Sequence, residues 1–130
     1  MQILTLMSPK ILKISYWVVT VIFALFMLMS GYFNAVQSPD ALTLMRQLGY
    51  PDYFSTIIGV AKILGAIAIL QWKFKTLKEW AYAGFTFDIL GAVVSYVFIG
   101  QAIAGLFTLV FLAIMSASYL LWKLSENRPL

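Results

Sequence analysis

VAKILGAIAIL, residues 60–70, sets one lysine, Lys62, among ten uncharged residues, and the chain stays apolar on both sides of it, from about Phe54 to Trp72. A run of that length is what a helix needs to cross the hydrocarbon core of a bilayer, roughly 20 residues. Three further runs match it: ISYWVVTVIFALFMLMSGYF at 14–33, EWAYAGFTFDILGAVVSYVFIG at 79–100 and AIAGLFTLVFLAIMSASYLLW at 102–122. The composition points the same way. Of the 130 residues, 62% are hydrophobic and 11% charged, against about a quarter charged in a soluble domain. Such a chain cannot cover its surface with polar groups. The fold class is therefore all-α: a polytopic membrane protein, an antiparallel four-transmembrane-helix bundle in contact with the lipid bilayer, read as one domain over residues 1–130.

The segments between the spans are short. The lead, MQILTLMSPKILK, followed by an apolar block, is shaped like a signal peptide, but the block is too long for an h-region and no small-residue cleavage site follows, so it is read as a retained helix. NAVQSPDALTLMRQLGYPDYF, residues 34–54, is the longest polar stretch. Ser38 can cap a short helix that starts at Pro39, carries Asp40 in its first turn and ends at Gly49. Ala41, Leu44, Met45 and Leu48 share one face of it, which predicts an amphipathic helix along the bundle mouth or headgroup layer. KFKTLK, 73–78, is expected to be a tight basic turn, with Glu79 capping the third span.

Four spans put both ends of the chain on one side, with Lys10, Lys13, Lys73, Lys75, Lys78, Lys123 and Arg128, leaving only Arg46 on the other. By the positive-inside rule both termini are cytoplasmic, and Trp72, Trp80 and Trp122 mark that membrane edge. The expected location is the bacterial inner (cytoplasmic) membrane.

The chain has no cysteine and no histidine. Disulfides, thiol chemistry, haem ligation through those residues, iron–sulfur clusters and ordinary zinc sites are excluded, as is the usual base near neutral pH. No catalytic residue and no metal ligand is predicted, and any redox activity would need a partner subunit. The net charge of +4 collects at membrane edges, with no basic stripe interleaved with aromatics, so no nucleic-acid partner is expected.

Two ionisable residues lie inside the apolar runs. Lys62 is ten residues before Trp72, and Asp88 nine after Glu79; each falls roughly 14–15 Å from the same edge. Gly59, Lys62 and Ala66 recur at helical spacing on the second span, and Ala81, Gly84, Asp88, Gly91 or Ala92, and Ser95 on the third. Small residues let helices approach closely inside membranes, and a lone charge at the bilayer centre costs at least about 2.5–3.5 kcal/mol. The expectation is a Lys62–Asp88 ion pair in the bundle, either a staple that fixes helix pairing or a polar site for a ligand, quinone headgroup or proton. Asn34, one turn from Ser30, and Tyr96 are the further candidates to bind a ligand there. Thr86, Ser95, Ser116 and Tyr119 could line the same space, although hydroxyls commonly bond their own helix. No cofactor is predicted; a quinone or lipid is the ligand such a site could take.

LGYPDYF, GVAKILGAIAIL, LKEWAYAGFTFDILGA and SYLLW together resemble the DoxX-like family of small four-helix membrane proteins, over about residues 14–123. Gly49, Tyr50 and Pro51 carry the resemblance, as do Gly59, Lys62, Gly65, the run Lys78 to Gly84, and Asp88, Gly91 and Ala92. Many such sequences have histidine where this one has Tyr96, so a mechanism that needs that imidazole does not transfer. The resemblance implies either of two roles. One is a membrane accessory or assembly protein, like the endoplasmic-reticulum chaperone that assists nicotinic receptor assembly, with a protein partner or a homodimer in the membrane. The other is the membrane subunit of a quinone-linked redox complex, like that of an archaeal thiosulfate:quinone oxidoreductase. A small transporter ranks below both, because the spans are unbroken.

Overall fold

The structure, a computed structural model, describes residues 8–127. These form five helices and no strand: α1 (Pro9–Ala35), α2 (Pro39–Gln47), α3 (Asp52–Leu70), α4 (Lys75–Phe98) and α5 (Ala102–Asn127). All but α2 are long and apolar enough to cross a membrane. The four stand in a ring, α1 against α3 and α5, with α4 closing it between them. We call the end where α1 starts, α5 ends and α3 turns into α4 the basal end. The distal end carries α2, which rests mainly on α3.

Local chemistry sets the helix limits. The Ser8 hydroxyl accepts from the Ile11 amide and Pro9 occupies the first turn, so α1 begins at that cap, before its apolar run. It ends where Gln37 adopts a left-handed φ of 53°. That conformation is unusual for glutamine, and the side chain anchors it by donating to the Asp52 carbonyl at 3.2 Å and the Thr56 hydroxyl at 3.0 Å. Ser38 caps α2 through the Ala41 amide, as expected. Gly49, at φ 84°, closes α2 and lets the Tyr50 amide reach back to the Met45 carbonyl. Met45 is the buried residue of the expected apolar face. Arg46 and Asp52 then form an exposed bidentate pair, at 3.0 and 2.8 Å, which holds the guanidinium protonated even more firmly than usual.

The α3–α4 turn differs from expectation. It is confined to residues 71–74, and Lys75 to Lys78 are already helical. Gln71 makes this possible: its side chain accepts from the Phe74 amide at 2.7 Å and donates to the Ala68 and Phe74 carbonyls. Glu79 is consequently no cap. It sits a turn inside α4 and pairs with Lys123 of α5.

The core is apolar and aromatic: Phe23 and Met27 of α1, Ala66 and Ile69 of α3, Phe85 and Ile89 of α4, and Met115 and Leu121 of α5. Phe23 meets Phe85 edge to face, at 5.1 Å between centroids. The outward faces are apolar, as contact with bilayer hydrocarbon demands: Val18, Leu25 and Met29 on α1, Ile57 and Leu64 on α3, Phe87 and Val94 on α4, and Leu106 and Val110 on α5 are all exposed.

Candidate functional site

The tightest seam of the bundle is α1 on α3. A Cβ added at Gly59 would come within 2.3 Å of the Ala35 amide nitrogen and 2.5 Å of the Gly31 carbonyl oxygen. Gly31 and Gly59 thus let two backbones touch, and Lys62, one turn along α3, lies against α1. Its ammonium donates to the Ser30 hydroxyl at 3.0 Å and to Asn34 Oδ1 at 3.2 Å. Because lysine can only donate, the Asn34 amide must turn its oxygen to it. Asn34 Nδ2 then donates to Ser55, whose hydroxyl donates back to the Asn34 carbonyl at 2.8 Å. Asn34 and Ser55 are buried, and every hydrogen-bonding atom of this group on α1 and α3 that is fully buried has a partner.

The expected Lys62–Asp88 ion pair is not formed: the two have no nitrogen–oxygen contact within 4.0 Å, and the ion pairs among the described residues are Arg46–Asp52, Lys75–Glu126 and Lys123–Glu79. The reason is which seam is close. Gly59 packs on α1, whereas between α3 and α4 the Phe85 ring stands over Gly65, where a Cβ would meet it at 2.8 Å, and props the helices apart one turn from both charges. Gly84 and Gly91, expected to face α3, have open space beyond them instead. Asp88 is half-buried and has no hydrogen bond among the described residues. Tyr96 is half-buried two turns further along α4, and its hydroxyl is likewise without a partner among the described residues. The neighbouring Ser95 bonds Tyr50 at 2.7 Å, which ties the α2–α3 loop to α4. Of the four candidate residues, then, Lys62 and Asn34 meet, and Asp88 and Tyr96 stand apart from them.

A second polar group, unexpected from the sequence, fills the basal half. Lys78 is 1% exposed. Its ammonium lies 4.5 Å from the Tyr16 ring centroid and 4.6 Å from that of Trp122, and it donates to the Tyr16 hydroxyl. Beside it Tyr82, stacked on Trp122, bonds Ser118 at 2.7 Å, and Ser118 bonds Thr20. Each of three helices supplies two residues four apart: Tyr16 and Thr20, Lys78 and Tyr82, Ser118 and Trp122. That spacing puts each pair on one helix face and is the signal the sequence offered.

A comparison with protein families now bears on these positions. The model of the DoxX-like family matches residues 18–118. The chain belongs to the DoxX-like family. No curated protein and no solved structure matches it. The matched stretch of this DoxX-like chain contains Asn34, Lys62, Asp88 and Tyr96 as well as Lys78 and Tyr82.

Among the described residues, grooves open between helices on the surface of this DoxX-like bundle. One, of about 350 Å3 between α1 and α5, is lined by Val19, Ile22, Ala113, Ile114 and Ala117. Another, of about 480 Å3 between α4 and α5, is lined by Glu79, Tyr82, Ala83, Thr86, Met115, Ser116, Tyr119 and Leu120. No group of three or more metal-ligating side chains gathers among the described residues.

Proposed function

We propose that this DoxX-like protein is a small accessory or assembly protein of the membrane, which acts by holding another membrane component against its helices. The observation that carries this reading is how the polar groups are used. The Lys62 and Lys78 groups find their hydrogen-bond partners inside the bundle, while α4 turns an exposed face of Gly84, Phe87 and Gly91 outward, with Asp88 at its margin and without a hydrogen bond. Glycines on an open helix face allow a neighbouring helix close approach, and a carboxylate at mid-membrane gains from any donor that helix brings. The basal end, rich in lysine, faces the cytoplasm in this reading, in a bacterial inner membrane.

The test is affinity purification in mild detergent of the intact protein and of Asp88→Asn, which keeps the side chain's shape, and Gly84→Leu, at an exposed position. A membrane protein that copurifies with the intact chain and is depleted by Gly84→Leu supports the role; equal recovery with both variants rejects this face.

One observation favours a second reading, a quinone or other lipophile held between α3 and α4. Lys62 and Asp88 present opposite charges across that looser seam without contact, so a headgroup with both an acceptor and a donor could sit between them. Such a chain would serve as the membrane subunit of a redox complex. Organic extraction of the purified protein separates the two readings: a quinone lost from Lys62→Met but kept by Gly84→Leu selects the second.

A further inference from the structure

The groove between α4 and α5 lies apart from the Lys62 group and from the proposed α4 face, and meets the basal network at Tyr82 alone. Along α4 it runs from Glu79 to Thr86, about 10 Å at the rise of a helix, which suits one hydrocarbon chain lying between the helices. Ala83, Met115 and Leu120 give it apolar walls. The Thr86 hydroxyl is turned back to the Tyr82 carbonyl at 2.8 Å, and that of Tyr82 is engaged with Ser118. At the basal mouth the wall changes character. Glu79 pairs there with Lys123, and one turn further out Lys75 pairs with Glu126 at 3.1 Å. Trp80 is exposed alongside, and Trp72 is exposed at the same end, where an aromatic belt would mark the headgroup layer.

We propose that this groove is a binding site for one amine-bearing zwitterionic phospholipid, of the phosphatidylethanolamine class. An acyl chain lies along Ala83, Thr86 and Met115, the phosphate meets Lys123 and the headgroup ammonium meets Glu79. Charge decides the class. The Lys123 and Glu79 side chains are 39% and 37% exposed, so a headgroup reaches both, and an ion pair this exposed holds little energy of its own. A zwitterion replaces each partner with a like charge and leaves neither residue bare. A headgroup with a phosphate alone would set it against Glu79. A trimethylated amine lacks the N–H donors that make a charge-assisted bond to the carboxylate. Tyr119, one turn below Lys123 in the groove wall, has a hydroxyl without a hydrogen bond among the described residues, at the depth of the glycerol esters.

The test is native mass spectrometry of the full chain in mild detergent, titrated at matched concentrations with phosphatidylethanolamine, phosphatidylcholine and phosphatidylglycerol. Phosphatidylethanolamine adducts are expected to exceed the others by about fivefold, the factor to which the upper worth of an exposed charge pair converts. Glu79→Gln should erase that preference. Ala83→Leu, at an exposed position that fills the groove, should remove the adduct, with retained helicity and elution volume as the control for folding. Should Ala83→Leu misfold, the double variant Glu79→Gln/Lys123→Gln, altered only at exposed side chains, must show the same loss of preference. Equal adducts from all three lipids, a preference for phosphatidylglycerol, or full phosphatidylethanolamine binding by folded Ala83→Leu would each overturn the proposal.

Discussion

Lys62 and Lys78 solve the same problem in different ways. A lysine inside a membrane bundle must replace its hydration shell, and Lys62 does so with neutral oxygens of Ser30 and Asn34. Lys78 uses the faces of Tyr16 and Trp122 together with one hydroxyl, and a desolvated cation over an aromatic ring is worth about 2 kcal/mol or more. If Lys78 and Tyr16 act as a unit, removing either one strands the other. Lys78→Met and Tyr16→Phe should each destabilise the folded bundle by about 1–3 kcal/mol, whereas the double variant should lose less than the sum, because two apolar groups of matching shape leave nothing unpaired. Thermal unfolding in detergent reads this cycle, and additive losses would show that the two side chains are independent. The sequence exposed one lysine and concealed the other. Lys62 stands among uncharged residues, so its place within the membrane was readable, and with it the company of Asn34. Lys78 closes the run KFKTLK and looks like one more turn cation. Only the glutamine-braced turn at 71–74, which starts α4 early, carries it into the bundle.

At the scale of elements, apolar runs located the four spans and the serine–proline pair located α2, but the runs could not say which helix faces which. Small residues occur at Gly59 on α3 and at Gly84 and Gly91 on α4, and their spacing reads alike. In space they are opposites: Gly59 is in backbone contact with α1, and the α4 glycines meet nothing within 4 Å. The tight turn between α3 and α4 favoured pairing Lys62 with Asp88, and this is where the sequence misled. Sequence neighbours did not make the closest seam, because Gly31 opposite Gly59 let α1 come nearer. This contrast predicts an asymmetry. In Gly59→Ala the new methyl collides with backbone atoms that cannot rotate away, so the α1–α3 seam must open and Lys62 must shift from Ser30 and Asn34. The expected cost is about 1–3 kcal/mol, the usual range for overpacking. Gly84→Ala adds its methyl to open space and should leave thermal unfolding unchanged or slightly raised, since alanine favours the helix. Equal destabilisation by the two would mean that the α1–α3 contact is not the close one.

For the whole molecule, the ring order gives the bundle two unlike ends, and their charges determine how it sits in a membrane. Withdrawing Lys78 into the core weakens the charge asymmetry, yet Lys10, Lys13, Lys73, Lys75 and Lys123 remain at the basal end against Arg46 at the distal one. Lys75 and Lys123 are paired with glutamates, but acidic residues contribute little to orientation, which follows lysine and arginine near the span ends. The basal end is therefore expected in the cytoplasm. The absence of native cysteine allows a clean test. Thr43→Cys, exposed on α2, should react in intact cells with a membrane-impermeant maleimide, and Thr76→Cys, exposed at the start of α4, only after the membrane is permeabilised. The reverse pattern would mean that burial of Lys78 and pairing of the basal lysines have cancelled the positive-inside bias, and labelling of both in intact cells would mean that the chain inserts in two orientations. The answer reaches beyond topology. It decides which leaflet supplies the α4–α5 groove, because the Glu79–Lys123 mouth opens at the basal end, and a cytoplasmic mouth can recruit only lipids of the inner leaflet.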